Sequence, residues 1–283
     1  MTHASVPFAE PMTGGLHRIW FSPRDAANRS HIGWLVVDLA QPDRILGLAQ
    51  EPVLGPGTEG AFDDCGAMMS WLMEHEAQRL LYFIGWNTRG TVPFHVSIGL
   101  AQGPAGESPS TLRRLSGPIL DRSIADPMFC SNPCVLFEAD RWRMWYLSGL
   151  GWDRVAGKPS ASYHVCHARS ADGVNWTDRG TVVLPLTEGE YAIARPSVLR
   201  VGSQYKMWFC VRTRQRSYRI GSASSPDGLN WERDGAEHFP PSESGWDAEM
   251  TAYPHVFDHA GARYMLYCGN EFGRSGFGLA VWE

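Results

Sequence analysis

The sequence predicts an all-β protein, a five-bladed β-propeller of four-stranded antiparallel blades, on three observations. First, a proline and a second apolar run recur at one spacing. Asn132-Pro133-Cys134-Val135 precedes Arg143-Met144-Trp145-Tyr146, Arg195-Pro196-Ser197-Val198 precedes Lys206-Met207-Trp208-Phe209, and Tyr253-Pro254-His255-Val256 precedes Tyr264-Met265-Leu266-Tyr267. In each copy the second run opens ten residues after the proline. Second, Ser170-Ala171-Asp172-Gly173-Val174-Asn175-Trp176 recurs as Ser225-Pro226-Asp227-Gly228-Leu229-Asn230-Trp231. Third, the apolar runs are short, rich in Val, Ile, Trp, Tyr and Phe, and bounded by Gly, Pro and Asp, with no sustained helical period. Self-similarity at a period of this size marks propeller blades or a solenoid.

The units follow in chain order. Pro7 stands ten residues before His17, which opens His17-Arg18-Ile19-Trp20-Phe21 and defines a first unit over 1–57. In the second, 58–120, Ser70 takes the proline position and Leu81-Tyr82-Phe83 the second run. The stretch from Met68 to Leu80 has a helical look, but it reads as strand, turn at Glu74-His75-Glu76, and strand. The three clear copies occupy 121–187, 188–243 and 244–283. A third strand aligns without gaps as Ile98-Gly99-Leu100-Ala101, Val165-Cys166-His167-Ala168, Ile220-Gly221-Ser222-Ala223 and Phe277-Gly278-Leu279-Ala280. The last copy stops there, which predicts closure with a strand borrowed from the other terminus. Neither a WD40 nor a kelch signature occurs.

Composition narrows the function. With 283 residues, 43% apolar and 12% aromatic, the chain can bury one large core. A net charge of −5 and no basic run give nucleic acid no footprint. The longest apolar runs fall well short of a bilayer span, so no membrane partner is expected. Met1-Thr2-His3-Ala4-Ser5 lacks the basic and apolar regions of a signal peptide. Six cysteines (65, 130, 134, 166, 210, 268) contain no CxxC and read as buried free thiols in a reducing cytoplasm. Cys130 and Cys134 lack the second close-set pair that a zinc site needs. The sequence sets no oligomeric state.

Propeller topology then sorts the loops. The Asp172-Gly173 and Asp227-Gly228 turns join third and fourth strands, on the face opposite the loops that lead into the innermost strands, and are expected to be structural. The lead-in loops accumulate acids. Asp63 and Asp64 lie seven and six residues before Ser70, Asp126 seven before Pro133, Glu190 six before Pro196, and Asp247 and Glu249 seven and five before Pro254. Asn132, Arg195 and Tyr253 stand directly before their prolines. The loops between second and third strands add Trp86, Trp152 and Arg212 on the same face, and His95 and His164 sit on third strands near the channel. Carboxylates for proton transfer, arginine and asparagine for hydroxyl or anion recognition, and indole platforms compose a sugar site. Taken singly, each tryptophan and histidine also reads as packing.

These units resemble the five-bladed propeller glycosidases, the group holding glycoside hydrolase families 43, 32, 62, 68 and 130. The likeness rests on Gly60 through Gly66, Ala125-Asp126-Pro127, Glu190 through Pro196, the Ser-x-Asp-Gly-x-Asn-Trp cassettes and Met250 through Val256. More closely, the chain looks like uncharacterised propeller proteins of this group that accompany bacterial polysaccharide genes. In the group, three acids on successive innermost strands, starting at the first blade, act as base or nucleophile, modulator and general acid. The resemblance implies a glycoside hydrolase acting on a sugar or glycoside, with Asp64 as base or nucleophile, Asp126 as orienting acid, Glu190 as general acid and Glu249 closing the ring. It implies substrate contacts from Asp63, Trp86, Asn132, Trp152, His164, Arg195, Arg212, Asp247 and Tyr253. No cofactor is expected, though the propeller axis leaves room for a structural divalent ion. The first unit offers His3 where the group carries an acid. That departure keeps two alternatives open: a propeller that binds carbohydrate without turnover, and a lyase, isomerase or phosphorylase acting on a sugar or sugar nucleotide.

Overall fold

The computed structural model describes residues 1–155, 157–235 and 239–282; positions 156, 236–238 and 283, inside the third, fourth and fifth expected units, lie outside the described residues. The chain is almost entirely β. Strands β1 (Thr2–Pro11), β2 (Leu16–Arg24), β3 (Gly33–Asp38) and β4 (Gln41–Leu48) form one antiparallel sheet in sequence order. Strands β5 (Gly66–His75), β6 (Gln78–Thr88), β7 (Phe94–Pro104) and β8 (Arg113–Arg114) form a second. The stretch with a helical look is the β5–β6 hairpin, turning at Glu76-Ala77, where Glu76 takes φ 52°.

Next come β9 (Cys130–Glu138), β10 (Arg141–Val155), β11 (Lys158–Ser170) and β12 (Trp176–Leu184), then β13 (Glu190–Val201), β14 (Gln204–Thr213), β15 (Arg219–Ser225) and β16 (Glu232–Arg233). These eight share one sheet, joined only where Tyr163 of β11 pairs in parallel with Ala192 of β13. The last sheet has β17 (Ala252–His259), β18 (Ala262–Cys268) and β19 (Phe277–Trp282), with a short helix, Asn270–Gly273, before β19. The expected borrowed strand is not seen among the described residues. β1 pairs with β2 as the first strand of its own sheet and does not extend the edge of β19.

The leading strands surround the axis: β1 neighbours β5, β5 neighbours β9, β9 neighbours β13, β13 neighbours β17, and β17 returns to β1. Aromatics from the second strands fill the space between sheets, with Trp20, Trp145, Tyr82 and Tyr146 fully buried. All six cysteines are free, five of them buried.

The repeated proline marks a β-bulge. Val6, Asn132, Arg195 and Tyr253, each directly before its proline, adopt φ of 52°, 48°, 55° and 56°. The strand pairing slips at these points, and again between Met69 and Trp71, where Ser70 replaces proline. A bulge re-aims a side chain, and a left-handed β-branched residue such as Val6 is a strained exception.

The Asp-Gly cassettes are buckles between units. Asp172 accepts from the Val174 and Asn175 N–H groups at 2.9 and 2.8 Å, and Asp227 repeats this with Leu229 and Asn230 at 2.8 Å each. The Gly173 carbonyl accepts from Tyr82 Oη at 2.9 Å, and the Gly228 carbonyl from Trp145 Nε1 at 2.8 Å. Glycine is required at both, because φ is 74° and 73° and a Cβ would press on those same neighbours.

Candidate functional site

The lead-in acids share an offset because most of them share a structural task. Asp63 pairs with Arg114 of β8. Asp126 Oδ2 lies 2.8 Å from Arg179 Nε of β12. Glu190 Oε1 lies 2.6 Å from Arg233 Nη1 of β16. In each case the arginine comes from the fourth strand of the unit that the acid leads into, and another nitrogen donates to a lead-in carbonyl: Gly55, Asp121 or Pro185. Asp126 is 0% exposed, and Tyr146 Oη donates to its remaining oxygen at 2.9 Å. Asp247 repeats the pattern in part. Tyr267 Oη donates to its Oδ2 at 2.9 Å, but the last sheet has no fourth strand among the described residues, and the buried Oδ1 has no partner there.

Asp63, Asp126, Glu190 and Asp247, expected in the site, are held in these clasps, and none of the four is among the residues lining the central cavity described below. A general acid needs its proton held at neutral pH. At Glu190 burial works in that direction, but the Arg233 hydrogen bonds and charge overcome it and hold the carboxyl below its ordinary value. Asp63 is raised by burial against the pull of Arg114, yet it is only 1% exposed. Small residues set the lead-in loops in place: Phe62, Phe129 and Trp246 lie where a Cβ on Gly85, Gly149 and Gly269 would come within 2.3, 2.7 and 2.3 Å.

Arg195, expected to contact substrate, braces the axis. It is 0% exposed and reaches from β13 to β5 and β1, donating to the Ser70 carbonyl at 2.5 Å, Ser70 Oγ at 3.1 Å and the Pro7 carbonyl at 3.3 Å. Burial lowers its pKa to about 10, so it stays cationic at neutral pH. A fixed guanidinium therefore crosses the axis, where the sequence had left room for a divalent ion. No group of three or more His, Cys, Asp or Glu side chains suited to a metal occurs among the described residues, so the donors present do not fit that ion.

Beside this brace, the bulges open onto a cavity of about 280 Å³. Val6, Asn132 and Tyr253 line it from three innermost strands, with Ser5 and Ser131 next to them. Met68, Ile84 and Phe94 form an apolar wall, and Phe272 comes from the short helix. Arg24 and Arg212 enter from the ends of β2 and β14, and Tyr163 and Tyr218 complete the lining. None of these residues is acidic. The Arg212 guanidinium lies 4.7 Å from the Tyr191 ring centre and 5.1 Å from that of Tyr218. Burial pushes the Tyr163, Tyr218 and Tyr253 phenols up, so they remain neutral donors. A hollow of similar size, about 290 Å³, lies away from the axis between Trp208 and Trp282, but its cations Lys206 and Arg263 are paired with Asp234 and Asp258.

Of the residues expected to bind substrate, the mouth thus gathers Asn132, Arg212 and Tyr253. Trp86 donates from Nε1 to Ser30 Oγ at 3.1 Å, and Trp152 packs 4.9 Å from Phe94 and 6.0 Å from Phe129. His164 sits 3.4 Å from Cys166 Sγ, its pKa lowered by burial, and His95 pairs with Asp121 at 2.7 Å. Asp64 accepts from the Gly60 N–H at 3.0 Å while its Oδ1 is buried without a partner. Glu249 is exposed. Sequence reasoning missed Arg24, Tyr163, Tyr218 and Phe272. The spacing held a signal for three of them. Arg24 stands seventeen residues after Pro7 as Arg212 stands sixteen after Pro196, and Tyr163 and Tyr218 each precede the third-strand openings Val165 and Ile220 by two.

Comparison with known proteins gives relatives and a fold. The Mycobacterium tuberculosis proteins Rv1502 and MT1551, both uncharacterised, are each 42% identical to this chain over 285 aligned positions, spanning all of it and 93% of their own length. No protein-family profile matches. Among solved structures, the BT0996 RGII complex superposes with a TM-score of 0.76 at 20% identity, over 99% of this chain and 86% of that one. A thermostable family-43 glycoside hydrolase gives 0.70 at 14%, over 99% and 89%. The Bombyx mori GH32 β-fructofuranosidase BmSUC1 gives 0.66 at 16%, over 99% and 61%. The chain therefore shares its fold with these solved structures, among them family-43 and GH32 glycoside hydrolases, in line with the fold that the sequence resemblance implied.

Proposed function

This protein belongs to the family of the Mycobacterium tuberculosis proteins Rv1502 and MT1551, and on that premise we propose that it recognises a carbohydrate in the channel mouth. The observation that carries the reading is the cavity itself. It combines apolar and aromatic walls for the C–H faces of a sugar with hydroxyl, amide and guanidinium donors converging from separate strands. The five leading strands around the axis, and the single parallel pair that joins β11 to β13, support counting the eight-stranded sheet as two blades and the propeller as five. The solved neighbours include glycoside hydrolases, which supports a sugar ligand for the same fold.

Binding without turnover fits the mouth better than hydrolysis. Glycoside cleavage needs one protonated and one ionised carboxyl across the sugar, and the mouth is lined by none. A second reading, hydrolysis, is favoured by one observation: Asp64 keeps a buried oxygen without a partner.

Calorimetric titration with a panel of mono- and oligosaccharides, beside release of 4-nitrophenol from the matching glycosides, decides between them. A binding propeller gives saccharide affinity without release, and Asn132→Ala weakens that affinity about tenfold by removing one ligand hydrogen bond. Release abolished by Asp64→Asn would instead establish the hydrolase. Absence of any saccharide binding would overturn the sugar reading.

A further inference from the structure

Buried arginines in this molecule are, as a rule, matched by carboxylates. Arg18 and Arg79 meet Glu10, Arg143 meets Glu138, and the three clasp arginines meet their acids. Arg195 is one exception, its donors taken by the Ser70 and Pro7 carbonyls and Ser70 Oγ, and Arg24 and Arg212 at the mouth are two more. Neither of the two at the mouth has an ion-pair partner among the described residues. One nitrogen of Arg24 donates to Asn28 Oδ1 at 2.9 Å, and its guanidinium lies 5.9 Å from the Trp86 ring centre. Arg212 is half-buried, its Nε is sequestered without any acceptor, and only the faces of Tyr191 and Tyr218 compensate its charge. The phenols at the mouth stay protonated, so none of them supplies the missing negative charge. The acid on the short helix, Glu271, is taken by Arg274 at 2.7 Å.

Two guanidinium groups facing one cavity without a counter-charge are costly to hold out of water. Aromatic faces hold Arg212 in position and offset part of that cost, leaving its planar N–H edge for a ligand. Such an edge matches the paired oxygens of a carboxylate or of a phosphate or sulfate ester, and can bind them bidentately. We propose that the ligand of the channel mouth carries an anionic substituent, held by Arg24 and Arg212 while Asn132 and the tyrosine hydroxyls take its neutral hydroxyl groups. This rests on the sugar reading above and narrows it to acidic, phosphorylated or sulfated sugars.

Calorimetric titration of the full chain tests it with D-glucuronate, D-glucose 6-phosphate, D-glucose 6-sulfate and neutral D-glucose. At least one charged sugar is expected to bind about tenfold or more tightly than glucose, with the advantage shrinking as ionic strength rises. Which charged sugar wins separates carboxylate from phosphate or sulfate. Arg24→Gln and Arg212→Gln, each checked by thermal unfolding, should remove the advantage, lowering the affinity for the charged sugar about tenfold more than that for glucose. Equal affinity for charged and neutral sugars, or an advantage that survives in the double variant, would overturn the anion inference while the sugar reading stands. If no saccharide binds at all, the sugar reading falls. Inorganic phosphate then decides the anion site alone: an unfolding temperature raised in the wild type and unchanged in Arg212→Gln supports it, and no rise in the wild type overturns it.

Discussion

Arg179, on a fourth strand, and Arg212, near the end of a second strand, both turn toward a lead-in loop or bulge, but among the described residues only Arg179 finds a carboxylate there. In its clasp, acid, guanidinium, tyrosine hydroxyl and loop carbonyl satisfy one another. At the mouth, charge and hydrogen-bonding capacity are held open by aromatic rings and a strained bulge. The difference shows how one scaffold separates rigidity from recognition. Complete pairing closes a unit, and incomplete pairing keeps a site available, at a cost in stability that the clasps help to offset.

The largest effect should come from breaking a clasp. Asp126→Ala leaves Arg179 and Tyr146 facing a buried hole, and removing one partner of a buried pair costs about 3–5 kcal/mol. Denaturant unfolding should register that loss, with affinity at the mouth unchanged in the fraction that stays folded. A smaller effect should appear with pH. Because Arg233 holds Glu190 below its ordinary value, the Glu190 clasp stabilises the fold fully above about pH 4.5 and progressively less as pH falls through the depressed value. Glu190→Gln should therefore be less stable than the wild type at neutral pH, and its stability should decline less steeply on acidification. Parallel decline of the two proteins would show that the clasp adds nothing ionic.

The sequence was most informative where the chain repeats. The ten-residue spacing located the innermost and second strands of every unit, because a blade can bury its aromatics only if that spacing is kept. It also placed the Asp-Gly cassettes on the structural face. The acids were visible as an offset, but their partners were not, since Arg114, Arg179 and Arg233 follow them by 51, 53 and 43 residues across loops of unequal length. An acid whose arginine cannot be seen looks like an acid free for catalysis. For Arg195 likewise, its place before proline put it at the channel, and only the fold shows that it crosses the axis to Ser70 and Pro7. Asn132, Arg212 and Tyr253 could be assigned to one face because a bulge or strand exit sits at a nearly constant distance from the proline, and the fold brings the three to one cavity.

Thermal and denaturant unfolding of Arg179→Met beside Arg212→Met tests the division between clasp and mouth most directly. Arg179→Met should lose about 3–5 kcal/mol, since it strands a fully buried carboxylate. Arg212→Met should stay within about 0.5 kcal/mol of the wild type, or exceed it, since it removes a charge that has no ion-pair partner among the described residues. Equal losses in the two variants would contradict the assignment of Arg179 to the fold and Arg212 to a ligand.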